Sequence, residues 1–185
     1  TNKEEFKMDL KSINFSEFKN KKILITGGST GIGAELAKAF AKQGAIIGLH
    51  YLSSEDAAKQ VASEILSEGG SVELIRADAS DSKALATAVN EAADRLGGLN
   101  GLINNAGGMV RRVQYADVTD KDYDEIMDLN ARSIVVASKE ALPFLKQHGG
   151  FVINTTSIAA RNGAGGGAGM YGSSKAFVSN VTRGM

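Results

Sequence analysis

From Lys22 onward, short apolar runs alternate with longer stretches in which apolar residues recur every three or four positions. The runs KILIT (22–26), AIIGLHY (45–51), SVELIRAD (71–78), LNGLINNAG (99–107) and GFVINTTS (150–157) have the length and composition of strands. Between them, IGAELAKAFAKQ (32–43), SEDAAKQVASEILSE (54–68), SKALATAVNEAADRL (82–96) and DKDYDEIMDLNARSIVVASKEAL (120–142) follow the helical period. Gly44, Gly69, Gly70, Gly97, Gly98, Gly149 and Gly150 fall where those helices should stop. Five strands with intervening helices predict a parallel sheet covered on both faces. The right-handed crossover rule makes it a doubly wound, Rossmann-like α/β fold, a single domain over 21–185. Residues 1–20 are polar, with scattered Phe and Leu and no sustained period, and read as a leader.

Composition narrows the function. Of 185 residues, 43% are hydrophobic and 23% charged, the balance of one soluble globular domain. Lys plus Arg (21) equals Asp plus Glu (21), so no broad positive field invites nucleic acid or an anionic membrane, and neither partner is expected. The absence of cysteine removes disulfides, thiolate nucleophiles and cysteine–metal sites. No apolar run is long enough to span a bilayer and no signal peptide opens the chain, so a cytoplasmic protein is expected. His50 and His148 have no ligand cluster around them; no metal site is expected, and His50 reads as an ordinary surface or strand histidine.

Glycine is abundant (22) and proline rare (1), and much of the glycine sits in GGSTGIG, NNAGG and RNGAGGGAG, just after predicted strands. Ligands of open α/β sheets bind at that edge. In ILITGGSTGIGAELAKAF, Gly27 would allow a sharp turn, while Gly31 and Gly33 would let a pyrophosphate and the sheet approach the backbone. Helix amides from Ile32 onward would face the phosphates. The loop lacks the Lys-Ser/Thr ending of a P-loop, which disfavours nucleotide hydrolysis. Near the C-terminus, Tyr171 precedes Lys175 by four residues, placing phenol and ammonium on one helix face about 6 Å apart along the axis. Tyr51, Tyr115 and Tyr123 are followed at that offset by Glu55, Thr119 and Met127 instead.

TGGSTGIG resembles the cofactor loop of the short-chain dehydrogenase/reductase family, and three further family motifs follow in order. Asp78 lies in RADAS, Asn104 to Gly107 form NNAG, and Asn130 lies in LNARS. The resemblance extends from about Lys21 to Met185. It implies an NAD(P)-dependent oxidoreductase moving hydride between nicotinamide and a secondary alcohol or ketone, such as a 3-oxoacyl, sugar or other carbonyl substrate. It also implies a homo-oligomer, built on the helix from Asp120 to Gln147.

By the same resemblance, Ser157 hydrogen-bonds the substrate oxygen, Tyr171 is the general acid/base, Lys175 binds the nicotinamide ribose and favours the ionised phenol, and Asn130 holds a water in a proton relay. The implied cofactor contacts are Gly27, Ser29, Thr30, Gly31, Ile32, Gly33, Tyr51, Ser53, Asp78, Ala79, Asn105, Ala106 and Gly107, with Tyr171 and Lys175. A free phenol ionises near pH 10, so about 4 kcal/mol must be supplied for a base at neutrality. One ammonium about 4 Å away supplies roughly that amount at an effective dielectric of 20. Thr156 rivals Ser157, although the spacing from Ser157 to Tyr171 is already one residue longer than the family's. The residue ending the second strand, about Tyr51, is not acidic, which favours NADP(H) over NAD(H). The arginine frequent in NADP-binding relatives is missing, leaving a 2′-phosphate to Ser29, Thr30, Ser53, Ser54 or backbone amides.

The chain stops at Met185, inside the helix bearing Tyr171, so the sheet is expected to lack the family's last two strands. The alternative reading is a catalytically weak nucleotide-binding or interaction module. An epimerase or dehydratase using the same Tyr–Lys pair is disfavoured by the single-domain length.

Overall fold

The computed structural model describes residues 15–185; the expected leader lies, for residues 1–14, outside the described residues. Five strands, β1 (Lys22–Ile25), β2 (Ile46–Tyr51), β3 (Ser71–Arg76), β4 (Gly101–Asn104) and β5 (Phe151–Asn154), form one parallel sheet in the order β3-β2-β1-β4-β5. Helices α1 (Gly31–Lys42), α2 (Glu55–Ser67) and α3 (Ser82–Leu96) connect the first four strands. The order reverses between β1 and β4, the switch point at which a doubly wound sheet opens a crevice.

Alternation along each strand divides the core in two. Ile23 and Ile25 of β1 and Ile47 and Leu49 of β2 point to the side covered by α1 and α2, joined there by Ala37, Ala58 and Ile65. Leu24, Ile75 and Leu102 point the other way, to Leu85, Val89 and Leu96 of α3. The inner strands β1, β2 and β4 thus bury both faces, which is why their runs read as continuously apolar, while the edge strands β3 and β5 are only partly covered.

The stretch expected as one helix from Asp120 is three segments. These are α4 (Asp120–Met127), a π-helical turn (Asp128–Arg132) and α5 (Ser133–His148), which contains Pro143. The break has a local cause: Asn130 Nδ2 donates to the Ile126 carbonyl and Ser133 Oγ to the Leu129 carbonyl. Side chains that take carbonyls from the ladder loosen that turn. After β5, a short helix α6 (Ala159–Asn162) precedes α7 (Gly169–Gly184), which carries Tyr171 and Lys175. β5 ends at Asn154, so Ser157 stands three residues beyond the strand rather than at its last position. No helix among the described residues is long and apolar enough to cross a membrane, and they hold no cluster of three or more His, Asp or Glu that could bind a metal.

Two polar devices fix the elements around the crevice. Buried Asn104 donates through Nδ2 to Ser138 Oγ of α5 at 3.0 Å and to Asn154 Oδ1 of β5 at 2.8 Å. At the start of α4, Thr119 and Asp122 form a reciprocal capping box, and Asp122 also accepts from Arg111 Nη1 at 2.6 Å. The Thr119 hydroxyl, the Arg111 guanidinium and the Thr119 amide hold the Asp122 carboxyl down from 3.8 to about 2.

Asn104→Ala is expected to lower the unfolding free energy by about 1–3 kcal/mol in urea denaturation, because it strands the buried Ser138 hydroxyl on α5 and the half-buried Asn154 amide on β5; a smaller loss would assign the link no structural weight. The capping box predicts an acid signature. A carboxylate whose folded pKa is depressed stabilises fully above its unfolded value and loses that contribution as pH falls through the folded one. Asp122→Asn should therefore melt below the parent protein at pH 6, with the gap narrowing below 3.8 and closing near about 2. A gap independent of pH in thermal unfolding would show that charge is not what Asp122 contributes.

Candidate active site

The glycine turn after β1 is shaped by close approaches. Gly27 has φ +63°, and a Cβ on Gly33 would stand 2.1 Å from the Gly27 carbonyl oxygen, so any side chain there would push α1 off the turn. Thr30 precedes α1 without capping it through its side chain, which leaves the first-turn amides open towards the crevice. The turn is strapped to the segment after β4. Asn105 Nδ2 donates to the carbonyls of Thr26 (3.2 Å) and Gly27 (2.9 Å), while Thr26 Oγ1 accepts from the amides of Asn105 and Ala106, both at 3.0 Å. This open helix start beside a glycine backbone fits a dinucleotide's pyrophosphate.

These segments line a cleft of about 490 Å³ together with α7 and the segment just after β5. Of the residues singled out in the sequence, Gly27, Ser29, Thr30, Ile32, Asn105, Ala106, Gly107, Ser157, Tyr171 and Lys175 line it. Tyr51, Ser53, Asp78 and Ala79 do not: they lie further along the same sheet edge, Tyr51 as the last residue of β2, Ser53 just after it, and Asp78 and Ala79 beyond β3. The Tyr51 side chain joins the core beneath α1 and α2, and Asp78 Oδ1 accepts from Ser80 N (2.8 Å) and Ser80 Oγ (2.7 Å). Gly31 has open space around it, and Gly33 packs beneath the turn.

At the far end of the cleft Lys175 is 3% exposed. Its Nζ donates to the Thr155 carbonyl at 3.0 Å and lies 6.0 Å from the centre of the Tyr171 ring. Burial pushes the ammonium below its usual 10.5. Asn130 is wholly buried behind this group; its Oδ1 accepts from Gly108 N and its Nδ2 donates to Gly108 O, both at 2.9 Å. A Cβ on Gly107 would lie 2.8 Å from Asn130 Oδ1 and 3.0 Å from Lys175 Nζ, so the missing side chain is the space these two groups share.

The structure separates Ser157 from its rival. Thr156 Oγ1 donates to the Lys175 carbonyl at 2.9 Å and meets Ser179 Oγ at 2.7 Å, which ties it to α7. Among the described residues Ser157 Oγ accepts only from the Ala159 amide, at 3.1 Å, leaving its hydrogen to be donated elsewhere. Between Ser157 and Tyr171 the glycine-rich loop is joined to the segment after Gly108: Val113 N donates to Gly167 O at 2.8 Å and Arg112 Nη1 to Gly166 O at 2.9 Å.

Sequence reasoning missed Thr155, which contributes a backbone carbonyl and so carries no residue-type signal. It also missed Arg76. That residue, the last of β3, donates through Nε to the Leu52 carbonyl at 3.1 Å and reaches to 4.0 Å of Glu55. An arginine therefore does stand at the β2–α2 turn, brought from the neighbouring strand by the pairing of Arg76 with Tyr51.

Comparison with known proteins gives the chain's family. The family model described as short chain dehydrogenase matches residues 21–185. A probable galactose dehydrogenase of Rhizobium meliloti (strain 1021) is 33% identical over 153 residues, covering 82% of this chain and 59% of that protein. The meso-2,3-butanediol dehydrogenase of Serratia marcescens is 35% identical over 168 residues, covering 91% and 65%. The chain thus spans less than two thirds of either curated relative. Among solved structures, the NADH-dependent reductase A1-R′ complexed with NAD superposes with a TM-score of 0.87 at 38% identity, covering 91% of this chain and 73% of that one. A short chain dehydrogenase from Burkholderia cenocepacia J2315 in complex with NADP gives a TM-score of 0.83 at 35% identity, covering 90% and 67%. With the family model running from just before β1 through the helix that carries Tyr171 and Lys175, the chain belongs to the short-chain dehydrogenase/reductase family.

Proposed function

We propose that this chain carries the cofactor- and proton-handling part of an NAD(P)-dependent oxidoreductase acting on a secondary alcohol or its ketone. The observation that carries this reading is the Lys175 ammonium, buried beside the Tyr171 ring in the same cleft as the glycine turn. A bound nicotinamide dinucleotide would take or give the hydride, and this chain's residues do the rest. Tyr171 accepts the alcohol proton, or donates it in the reverse direction. Lys175 stabilises negative charge as it develops on the phenol oxygen, with Coulomb attraction strengthened by burial. Ser157, oriented by the Ala159 amide, donates to the substrate oxygen. Asn130 fixes Gly108 and, through it, the backbone beside Lys175.

The relatives named for galactose and meso-2,3-butanediol support a hydroxyl-rich substrate. NADP(H) is the favoured cofactor of this reading. Arg76 supplies a guanidinium beside Leu52, next to Ser53 and Ser54, and a planar guanidinium suits a 2′-phosphate.

Tyr171→Phe should reduce turnover by about 10²–10⁴-fold with little change in dinucleotide affinity; retention of the rate, in an assay of alcohol oxidation at 340 nm, would assign the proton to another group. Arg76→Ala should weaken NADP(H) about tenfold, the loss of one charge-assisted contact, and leave NAD(H) unchanged. Equal effects on both dinucleotides in a fluorescence titration would remove the basis for the preference.

A further inference from the structure

His50, the penultimate residue of β2, is 2% exposed and grips the glycine turn at two points. Its carbonyl accepts from Gly28 N at 2.8 Å, and its side-chain Nδ1 accepts from Gly27 N at 3.2 Å. An Nδ1 that accepts places the proton of the neutral imidazole on Nε2. That Nε2 is buried with no hydrogen-bond partner among the described residues. No partner meets Nε2–H in good hydrogen-bond geometry, although the Ala77 carbonyl lies near the ring, and what the buried ring gains there is the Gly27 amide. Gly27 is also where Asn105 straps the loop and where α1 packs most closely through Gly33.

We propose that His50 is the positioning residue of the dinucleotide loop, and that its protonation releases the loop, so that cofactor affinity falls on acidification. The proposal rests on the NAD(P) reading above. A second ring proton would sit on Nδ1 and face the Gly27 N–H, donor against donor, so imidazolium and the closed turn exclude one another. The surroundings oppose that proton too. Burial lowers the His50 pKa from its usual 6.5, against the opposing pull of the Ala77 carbonyl and the Asp78 carboxylate.

Asp78, after β3, is the charged group that acts on the ring. The turn after β1 brings uncharged glycines, and β3 sets Ile75 beside His50 in register. Arg76 leaves β3 on the opposite face, towards Leu52. Asp81, just before α3, caps it: its Oδ1 accepts from the Lys83 and Ala84 amides. For a histidine whose folded pKa is lowered, the closed turn is intact above 6.5 and is lost as pH falls through the lowered value.

The test follows NADH and NADPH binding to the intact protein by fluorescence between pH 8 and pH 5. The parent protein is expected to lose about tenfold in affinity at the acid end. His50→Asn keeps an acceptor near the Nδ1 position and cannot be protonated, so its affinity for each dinucleotide should stay flat relative to the parent. Comparing both proteins with the same dinucleotide cancels titration of the ligand's own phosphate. His50→Leu, which strands the Gly27 amide, should bind about tenfold more weakly already at pH 8. A second readout needs no cofactor: the Gly27 amide resonance should move with the His50 titration in the parent and not in His50→Asn. Parallel binding profiles for parent and His50→Asn, or a Gly27 amide indifferent to pH, would overturn the proposal. Should the parent bind neither dinucleotide at pH 8, the NAD(P) reading fails, and the Gly27 amide still decides the assignment to His50.

Discussion

A lysine ammonium enclosed by protein is expensive unless something around it compensates, and the Lys175 end of the cleft is organised by that requirement. Lys175 is 3% exposed, with the Thr155 carbonyl as its hydrogen-bond acceptor. No ion pair joins it among the described residues. Space for it exists because Gly107 has no side chain, and Asn130 presents its carbonyl oxygen to the same space. Asn130 reaches that place because the backbone takes a π turn at Asp128–Arg132, partly caused by the side chain's own bond to Ile126. Thr156 then pins α7 to the end of β5, which fixes where the lysine emerges. A cation left without a carboxylate has charge-stabilising capacity to offer a neighbour, and the Tyr171 ring lies 6.0 Å away.

The two ends of the cleft are built differently. On the glycine-turn side, strand ends and side chains lock the backbone: Thr26, Asn105 and His50 all bond to main-chain groups of the turn or of the segment facing it. A pyrophosphate is the same in every dinucleotide, so a fixed cradle suits it. Beyond the other end, the segment after Gly108 and the glycine-rich loop before α7 are joined by the Arg112 and Val113 contacts. Those contacts engage carbonyls of glycines, whose backbones adjust at little steric cost. Arg112 is thereby a clasp between two loops, and the capping box held by Arg111 anchors one of them to α4.

Strands and layers were legible in the sequence because a parallel sheet buried on both faces leaves long apolar runs, and the helices between them keep their period. The pairing of Tyr171 with Lys175 was legible for an equally local reason, the four-residue spacing within one helix. What escaped was anything set by three-dimensional register. Arg76 lies at the end of β2 only because β3 pairs with it residue for residue, a relation that no local pattern encodes. Thr155 acts through its carbonyl, which every residue possesses. The π turn shifts the helical phase by a single residue inside a long amphipathic run, too small an interruption for apolar periodicity to register. The burial of His50 was hidden by its chemistry, since a polar residue ending an apolar run equally suits the surface.

His50 and Lys175 also show how one physical cause yields opposite results. Burial lowers the pKa of both. The histidine starts at 6.5, already mostly neutral at pH 7, and burial moves it further that way, leaving a nitrogen lone pair to accept from the Gly27 amide. The lysine starts at 10.5, far enough above neutrality that it remains an ammonium there. Exchanging the two would fail at both ends: a lysine at position 50 would offer the turn a donor where an acceptor is needed, and a neutral imidazole at 175 could not stabilise charge on a phenol. The starting basicity of each side chain, set against the same desolvation, decides which end of the cleft carries charge.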